Sequence, residues 1–259
     1  MSNYEHLDIQ HSDRVATVTI QHPPVNALSP AVVKELGQAF GELASNNEVG
    51  AVVLTGAGPK IFVAGADIKA MASMDPAGAE QLARDGQAAI DQLASMPKLT
   101  ICAINGLALG GGLELAMACD LVVTTSSAQF GTPEVNIGLF PMMIMPVLQR
   151  NIGRKKLLEM MYTGDKLRGD EALALGMVNY AVSVDQLDQT VNELTRKITR
   201  KSQVIYKLGR EAFYTMADQS QPEALEYLQD MLSKNLHTAD AKEGLQAFLE
   251  KRTPVWTDQ

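Results

Sequence analysis

Hydrophobic residues along this chain follow two periods, one typical of strands and one typical of helices. Where apolar residues alternate with polar ones, or form short uninterrupted runs, the pattern predicts β-strands. The predicted strands are 7–10, 15–20, 51–54, 61–63, 99–103, 121–124 and 178–182. Apolar residues spaced three and four apart predict helices, at 32–43, 68–71, 80–95, 146–149, 169–175, 184–199, 203–217, 221–235 and 239–251. Residues 72–80, rich in small side chains, are expected to form a mobile connection. This alternation indicates an α/β layer structure.

Three consecutive glycines join a predicted strand to a predicted helix. The strand is 99–103, and Gly110, Gly111 and Gly112 lead into apolar helix formers. Glycine lets backbone N–H groups approach a bound atom closely, and the N-terminus of a helix favours negative charge. Glu114 is then a carboxylate in the first turn of an apolar helix, where glutamate is uncommon. The pattern outlines an oxyanion site with an acid or base beside it. Close packing, with Glu114 only a partner of the helix dipole, is the alternative.

Two more segments carry candidate chemistry. Small residues surround a glycine at 64–66, which predicts a tight turn whose amides are open to a ligand. Asp67 is expected to cap the helix 68–71 rather than to act as an acid. Glu134 follows Pro133 at an irregular point between short apolar runs. A second carboxylate in apolar company is a candidate acid or base, and a surface loop position is the alternative.

Composition narrows the class of protein. The 259 residues suffice for one large domain, or for one domain with a smaller appendage, and the net charge of -8 argues against nucleic-acid binding. Cys102 and Cys119 lie in apolar runs and are expected to be core residues in a reducing compartment. The histidines lack the spacing of metal ligands, so no metal site is predicted. Neither a signal peptide nor the ~20 apolar residues of a membrane span are recognisable, so a cytoplasmic protein without membrane contact is expected.

The motifs occur together in an order typical of one protein family. They are AGADIK at 64–69, AINGLALGGG at 103–112, ELA at 114–116 with CD at 119–120, and FG at 130–131 with PE at 133–134. In these motifs, and in order along nearly the whole chain from 22–28 to 248–252, the sequence strongly resembles the enoyl-CoA hydratase/isomerase (crotonase) superfamily. Within that superfamily it is most similar to the enoyl-CoA hydratases.

The resemblance implies a fold and an assembly. The α/β crotonase fold stacks ββα turns into a spiral core and ends in a helical region that forms trimers, two of which commonly make a hexamer. For this chain it implies a spiral core with the active site in residues 1–195 and a C-terminal helical trimerisation region in 196–259. The implied partners are therefore copies of the chain, as a homotrimer or a hexamer.

The resemblance also implies a substrate and an oxyanion hole. Members of the family bind acyl-CoA thioesters, so the implied protein needs no separate cofactor. Two backbone N–H groups, here those of Ala66 and Gly111, stabilise the enolate-like oxygen of the thioester. The positions implied to contact the substrate are Val25, Ala64, Ala66, Asp67, Ile68, Lys69 and Gly111. Lys69, and Lys251 from a neighbouring subunit, could reach a phosphate of coenzyme A, although an ordinary surface charge is the alternative for each.

Two acids select the reaction within this family. Hydratases carry a glutamate after the glycines and another after the proline, matched here by Glu114 and Glu134. By resemblance, Glu114 deprotonates a water molecule and Glu134 protonates C2 of a 2-enoyl thioester. A Δ3,Δ2-enoyl-CoA isomerase needs only the second acid and is the first alternative. A catalytically silent RNA-binding or scaffold member of the family is the second, against which the negative charge and both acids weigh.

One segment departs from the family pattern. Typical hydratases have a glycine-rich turn after the proline that follows the second glutamate, and one of its amides helps to position water or substrate. Here that turn reads Met142-Met143-Ile144-Met145. Methionine cannot freely adopt positive φ, and it is expected to narrow the pocket near the acyl chain. Acyl chain length, expected to depend on residues 71–90 and on this methionine turn, does not follow from the sequence.

Overall fold

The computed structural model describes residues 3–259 as two β-sheets with helices packed around them. The strands are β1 Leu7–Ser12, β2 Val15–Ile20, β3 Ala51–Gly56, β4 Ile61–Val63, β5 Leu99–Ile104, β6 Leu107–Leu109, β7 Leu121–Thr125, β8 Gln129–Gly131, β9 Lys166–Arg168 and β10 Tyr180–Val182. The α-helices are α1 Pro30–Ser45, α2 Ile68–Ala72, α3 Pro76–Ala94, α4 Gly111–Ala118, α5 Met145–Asn151, α6 Arg154–Thr163, α7 Gly169–Ala174, α8 Leu187–Thr199, α9 Gln203–Met216, α10 Gln221–His237 and α11 Ala239–Glu250. Two short 3₁₀ helices cover Pro133–Ile137 and Val184–Gln186.

The larger sheet has six strands in the order β1-β2-β3-β5-β7-β10. The first two strands form the predicted antiparallel hairpin, and all later neighbours are parallel. Parallel strands buried on both faces read as nearly continuous apolar runs. This explains why the sequence from Ala51 to Leu54 is apolar throughout.

The smaller sheet has four strands in the order β4-β6-β8-β9, of which the first three are parallel. The chain alternates between the sheets, so that a strand of the larger sheet is followed by one of the smaller sheet and then by a helix or a helical turn. This happens at β3-β4, β5-β6 and β7-β8. The expected spiral of ββα units is therefore present in the described residues.

Two apolar clusters hold these layers together. The larger cluster lies between the sheets and includes the inner face of α1, where Val32, Leu36 and Phe40 are buried. The smaller cluster lies on the opposite face of the larger sheet, where Val191 and Ile198 of α8 cover buried strand residues. Cys102 and Cys119 are buried free cysteines, as the sequence predicts.

A buried ion pair attaches α9, one of the C-terminal helices, to this core. Asp120, directly after α4, accepts hydrogen bonds from Arg210 Nε at 2.9 Å and from the Tyr214 hydroxyl at 2.7 Å, both from α9. It also accepts from the backbone and hydroxyl of Thr100, at 2.8 and 3.0 Å. The Arg210 guanidinium further donates to the Ala94 carbonyl at 2.6 Å. The α9 helix is thus tied to both the sheet and α3.

Several predicted boundaries change. The expected mobile connection at 72–80 is wrong for its second half, because α3 already begins at Pro76 with the Asp75 carboxylate capping the N–H of Gly78. Strands β6, β8 and β9 are not in the sequence prediction, since three residues are too few to show a period. The predicted strand 178–182 shortens to β10. The predicted boundary between 195 and 196 falls within α8, and the two-part division remains a prediction.

No helix in residues 3–259 is both long and apolar enough to cross a membrane.

Candidate active site

The candidate site lies where three neighbouring parallel strands of the smaller sheet end. Strand β4 leads to Ala66, β6 leads to Gly111, and β8 leads to Glu134. Because the carboxyl ends of parallel strands meet at one edge, residues far apart in sequence become neighbours there, and ligands bind at such edges. The N–H of Gly110 donates to the Gly131 carbonyl at 3.0 Å, which fastens two of these strand ends to each other.

The backbone N–H of Ala66 is free to bind a ligand. Leu28 pairs with this turn as an isolated parallel bridge: its N–H donates to the Gly65 carbonyl at 2.8 Å, and its carbonyl accepts from Asp67 N–H at 3.2 Å. A parallel bridge uses the groups on either side of the central residue, so the N–H of Ala66 points away from it. No acceptor for this N–H exists among residues 3–259. The unpaired N–H of Ala66 agrees with the predicted turn, and its binding of a ligand remains a prediction.

The N–H of Gly111 is free for a different reason. Gly111 is the first residue of α4, and the first N–H groups of a helix have no acceptor within it. Within the described chain no other group accepts from it. The preceding Gly110 has φ +47°, where glycine avoids the strain of a side chain. A Cβ on Gly110 would lie 2.5 Å from Glu134 Oε1, so the glycine also admits this carboxylate.

Glu114 is a buried carboxyl group at the base of this arrangement. Glu114 lies in the first turn of α4, and the other residues of this helix from Gly112 to Ala118 are buried. Only 8% of the Glu114 surface is exposed. Burial, together with the negative charges of Glu134 and Asp91, raises the pKa of Glu114 to about 7. A carboxyl group with a pKa near neutrality can both accept and release a proton under physiological conditions.

Glu134 is the second carboxyl group. It lies in the short 3₁₀ helix after β8, and burial raises its pKa, while a hydrogen bond from its own backbone N–H lowers it. Its Oε2 atom is buried and has no hydrogen-bond partner in the described chain. A buried oxygen without a partner is costly in a folded protein, and such atoms are typical of sites that bind a ligand or water.

A cavity of about 110 Å³ opens beside these groups. Gly111 and Glu114 form its edge near the strand ends, and side chains from α1 and α3 form its walls. The lining is apolar except for Glu114 and Gln87. Its place next to the free N–H of Gly111 and beside a carboxyl group suits an apolar group attached to a polar reacting centre.

One residue of the methionine turn, Met143, lies against this cavity. Met143 contributes to the lining and is half exposed, while Ile144 is buried in the core. The N–H of Met142 donates to the Phe140 carbonyl at 2.8 Å, so the turn itself uses this amide. None of the three methionines has a positive φ.

The remaining predicted contact positions surround the turn before α2. Ala64 N–H donates to the Val25 carbonyl at 3.2 Å, which places these two residues side by side. The Asp67 carboxylate accepts from the N–H groups of Lys69 and Ala70, at 3.0 and 3.1 Å, and thus caps α2 as predicted. The side chains of Ile68 and Lys69 are exposed next to this cap. Whether they contact a substrate remains a prediction.

Sequence reasoning expected residues 71–90, and hence a part of α3, to affect acyl chain length, but it did not place individual residues of α1 or α3 in a cavity beside Glu114. Val33 and Leu36 come from α1, and Gly86, Gln87 and Ile90 come from α3. Their spacing is helical and would have shown which face of each helix is buried, but not that the faces meet beside Glu114. In residues 3–259, no three His, Cys, Asp or Glu side chains are grouped to hold a metal ion.

Comparisons with known proteins give the same family over the full length. A sequence model of the enoyl-CoA hydratase/isomerase family matches residues 10–259. The chain is 36% identical to a short-chain-enoyl-CoA hydratase of Clostridium acetobutylicum, over 94% of each protein. It is 34% identical to a crotonyl-CoA hydratase of Syntrophomonas wolfei, over 96% of each. The crystal structure of an enoyl-CoA hydratase from Mycobacterium smegmatis superimposes with a TM-score of 0.94 and 34% identity, covering 97% of this chain and 98% of that one. The expected crotonase fold is thus confirmed, and the chain belongs to the enoyl-CoA hydratase/isomerase family.

Proposed function

We propose that this protein is an enoyl-CoA hydratase, a lyase that adds water across the double bond of a 2-enoyl-CoA thioester. The observation that carries the proposal is the pair of acids at the strand ends, Glu114 and Glu134, with raised pKa values beside two free backbone N–H groups. An isomerase needs only one of these acids. Hydratases are also prominent among the similar proteins.

In the proposed reaction, Ala66 and Gly111 donate their N–H groups to the thioester oxygen. Negative charge develops on that oxygen when a nucleophile attacks C3, and donors already held in place stabilise it without reorganisation. Loss of one such donor typically costs about 3–4 kcal/mol of transition-state stabilisation. The α4 helix adds the positive end of its dipole at Gly111.

The two carboxyl groups move the protons. Glu114, in its deprotonated form, takes a proton from water as the water oxygen bonds to C3. Glu134, in its protonated form, gives its proton to C2. The pair of carboxyl groups gains one proton from water and loses one to C2, so its total number of protons is unchanged. Transfer of the proton from Glu114 to Glu134 then restores the starting protonation states. Dehydration follows the same steps in reverse.

The coenzyme A portion is proposed to lie along the backbone of Val25 and the turn before α2. Ala64, Asp67, Ile68 and Lys69 form this edge next to the N–H of Ala66. The reaction draws only on the thioester of the substrate, so the proposal includes no separate cofactor.

The active protein is further proposed to be a homo-oligomer, a trimer or a hexamer, built through its C-terminal helices. Large apolar side chains are exposed on α10 and α11 and after them. They include Leu232, Leu245, Phe248, Leu249 and Val255, each more than half exposed. Helices α10 and α11 are in contact, and several large apolar side chains exposed on neighbouring helices are typical of an interface. A second copy of the chain is its proposed partner, which would also bring Lys251 near another subunit's substrate.

The function is tested by following the loss of the conjugated thioester absorbance of crotonyl-CoA. We expect hydration by the wild-type protein and a decrease in kcat of about 10²–10⁴-fold in both Glu114→Gln and Glu134→Gln, because each removes one proton transfer. Glu226→Gln, an exposed position on α10, is the control and should keep full activity. A wild-type protein that fails to hydrate crotonyl-CoA but converts a 3-enoyl-CoA, with only Glu134→Gln inactive, would establish the isomerase instead.

A further inference from the structure

The cavity beside Glu114 is small, and its walls are packed. An apolar cavity of about 150 Å³ accommodates benzene, with six carbon atoms. By the same measure, a cavity of about 110 Å³ accommodates about four carbon atoms. Its walls come from α1 and α3, which pack against each other, and Leu36 of α1 and Ile90 of α3 are themselves buried.

The position of the cavity relates its size to a chain length. The free N–H groups and the two acids must surround C1, C2 and C3 of a bound 2-enoyl thioester. The cavity begins at Gly111 and Glu114, so the chain enters it from C3 onward. Space for about four carbon atoms then ends at C6.

The electrostatic character of the cavity restricts the end of the chain. Among residues 3–259, no cationic residue lines it, and Glu114 is the only ionisable group in its lining. Gln87 donates to the Asp91 carboxylate at 2.7 Å, so the polar group in the α3 wall is itself paired with an anion. Asp91 is close enough to Glu114 for its charge to raise the pKa of Glu114. A carboxylate at the end of an acyl chain would face negative charge here without a cation to pair with.

Gly86 is a wall position with room for a side chain. It lies on α3 next to Gln87, and a Cβ built on it would meet no atom within 4 Å. The absence of a side chain at this position therefore leaves open space in the cavity region. A leucine there would add four carbon atoms, about as many as the cavity accommodates.

We propose that the cavity is an acyl subsite for short, uncharged chains of at most about six carbon atoms, and that Gly86 sets this limit. The inference rests on the proposed function for its placement of C1 to C3. The substrate class would be 2-enoyl thioesters of four to six carbons, without a terminal carboxylate.

The first experiment measures kcat/KM for crotonyl-CoA, hex-2-enoyl-CoA, oct-2-enoyl-CoA, dec-2-enoyl-CoA and glutaconyl-CoA. We expect similar values for four and six carbons and a decrease of at least about tenfold at eight carbons, because one misplaced methylene already costs this much in an apolar pocket. Glutaconyl-CoA, with five carbons and a terminal carboxylate, should react at least about 100-fold more slowly than crotonyl-CoA. Equal values up to ten carbons, or efficient hydration of glutaconyl-CoA, would overturn the inference.

The second experiment compares Gly86→Leu with Gly41→Leu. Gly41 is an exposed glycine of α1 whose added Cβ likewise meets no atom within 4 Å, so it is a matched control. We expect Gly86→Leu to lower the ratio of kcat/KM for hex-2-enoyl-CoA to that for crotonyl-CoA by at least about tenfold, and Gly41→Leu to leave it unchanged. Equal ratios in both variants would show that Gly86 does not set the limit.

Binding separates the subsite from the reaction. Calorimetric titration with the saturated butanoyl-, hexanoyl- and octanoyl-CoA requires no turnover. If the protein hydrates none of the 2-enoyl substrates but binds octanoyl-CoA at least about tenfold more weakly than butanoyl-CoA, the proposed function fails and the subsite stands. If all three bind equally, the subsite fails whatever the reaction.

Discussion

At the scale of single residues, the site depends on one carboxyl group in an environment that resists its charge. Glu114 is buried in an apolar helix, and its nearest charged neighbours, Glu134 and Asp91, are also acidic. An arrangement that only stabilised the fold would have a neutral or apolar side chain here. The energetic cost of Glu114 is thus what the proposed proton transfer requires.

This cost predicts how the free energy of unfolding depends on pH. The pKa of Glu114 is about 7 in the folded protein against an ordinary value of 4.5. Between these values the folded state holds a proton that the unfolded chain has released, so the free energy of unfolding falls as pH rises through this window. Glu114→Gln removes this dependence and should gain on the order of 3 kcal/mol relative to wild type between pH 4 and pH 8.

Urea unfolding at pH 4, 6 and 8 measures this difference. The exposed Glu226→Gln is the matched control and should follow the wild-type curve. A stability difference between Glu114→Gln and wild type that is the same at all three pH values would contradict the raised pKa.

At the scale of elements, the sequence predicts long periodic segments well and short ones poorly. Helix α1 and the hairpin of β1 and β2 follow from their patterns. Strands β6 and β8 do not, although they position Gly111 and Glu134, because each has only three residues and is recognised only by its neighbours in the sheet. The first residues of α3 are small and show no hydrophobic period, so the pattern does not predict where the helix begins. The N-cap residue Asp75 followed by Pro76 is the signal that indicates its start.

The parts of the candidate site that lie within one short stretch of sequence could be predicted, and the parts formed by tertiary contacts could not. Glu114 and the glycines before it lie in one contiguous motif, and the Asp67 cap needs only the residues after it. The cavity wall depends on α1 and α3 meeting across the site, which is a tertiary contact that spacing within either helix does not encode. The family resemblance identifies candidate acids and amides but not the volume between them.

The attachment of α9 gives a second prediction. The Arg210 and Asp120 side chains are both less than 10% exposed, so Arg210→Met leaves a buried carboxylate without its cation. We expect a loss of about 3 kcal/mol in the free energy of unfolding. Arg150→Met is the control, since the Arg150–Asp218 pair is mostly exposed and should be worth less than about 1 kcal/mol. Equal urea midpoints for the two variants would show that the buried pair does not anchor α9.

At the scale of the whole molecule, the C-terminal helices have two different surfaces. On the inner side, α8 packs against the larger sheet, and α9 is held by the Asp120–Arg210 pair. The other side exposes Leu232 on α10 and Phe248 on α11. Leu232 is 60% exposed and Phe248 is 81% exposed, so neither side chain is buried by its own chain. Large apolar side chains exposed in this way are typical of an interface with another chain.

The proposed homo-oligomer is tested on this exposed surface. Light scattering coupled to size-exclusion chromatography should give the mass of three or six chains for wild type. The double variant Leu232→Ser/Phe248→Ser should give a lower mass, because it removes two large apolar contacts from the proposed interface. Gln246→Ser, an exposed polar position on α11, is the control and should keep the wild-type mass. A monomeric wild type would refute the assembly.

The use of backbone N–H groups at the strand ends separates chemical importance from tolerance to substitution. Ala66, the proposed oxyanion donor, would donate from its peptide group without using any side-chain atom, so we expect small residues to be tolerated at this position when all single substitutions are surveyed. Gly110 donates nothing to the substrate, yet its φ of +47° and the nearby Glu134 carboxylate exclude every other side chain. Ranking positions by their intolerance to substitution would therefore place a packing glycine above the proposed oxyanion donor. Exchange of the peptide bond between Gly65 and Ala66 for an ester replaces the N–H with an oxygen atom and keeps both side chains, so it would test the proposed donor itself.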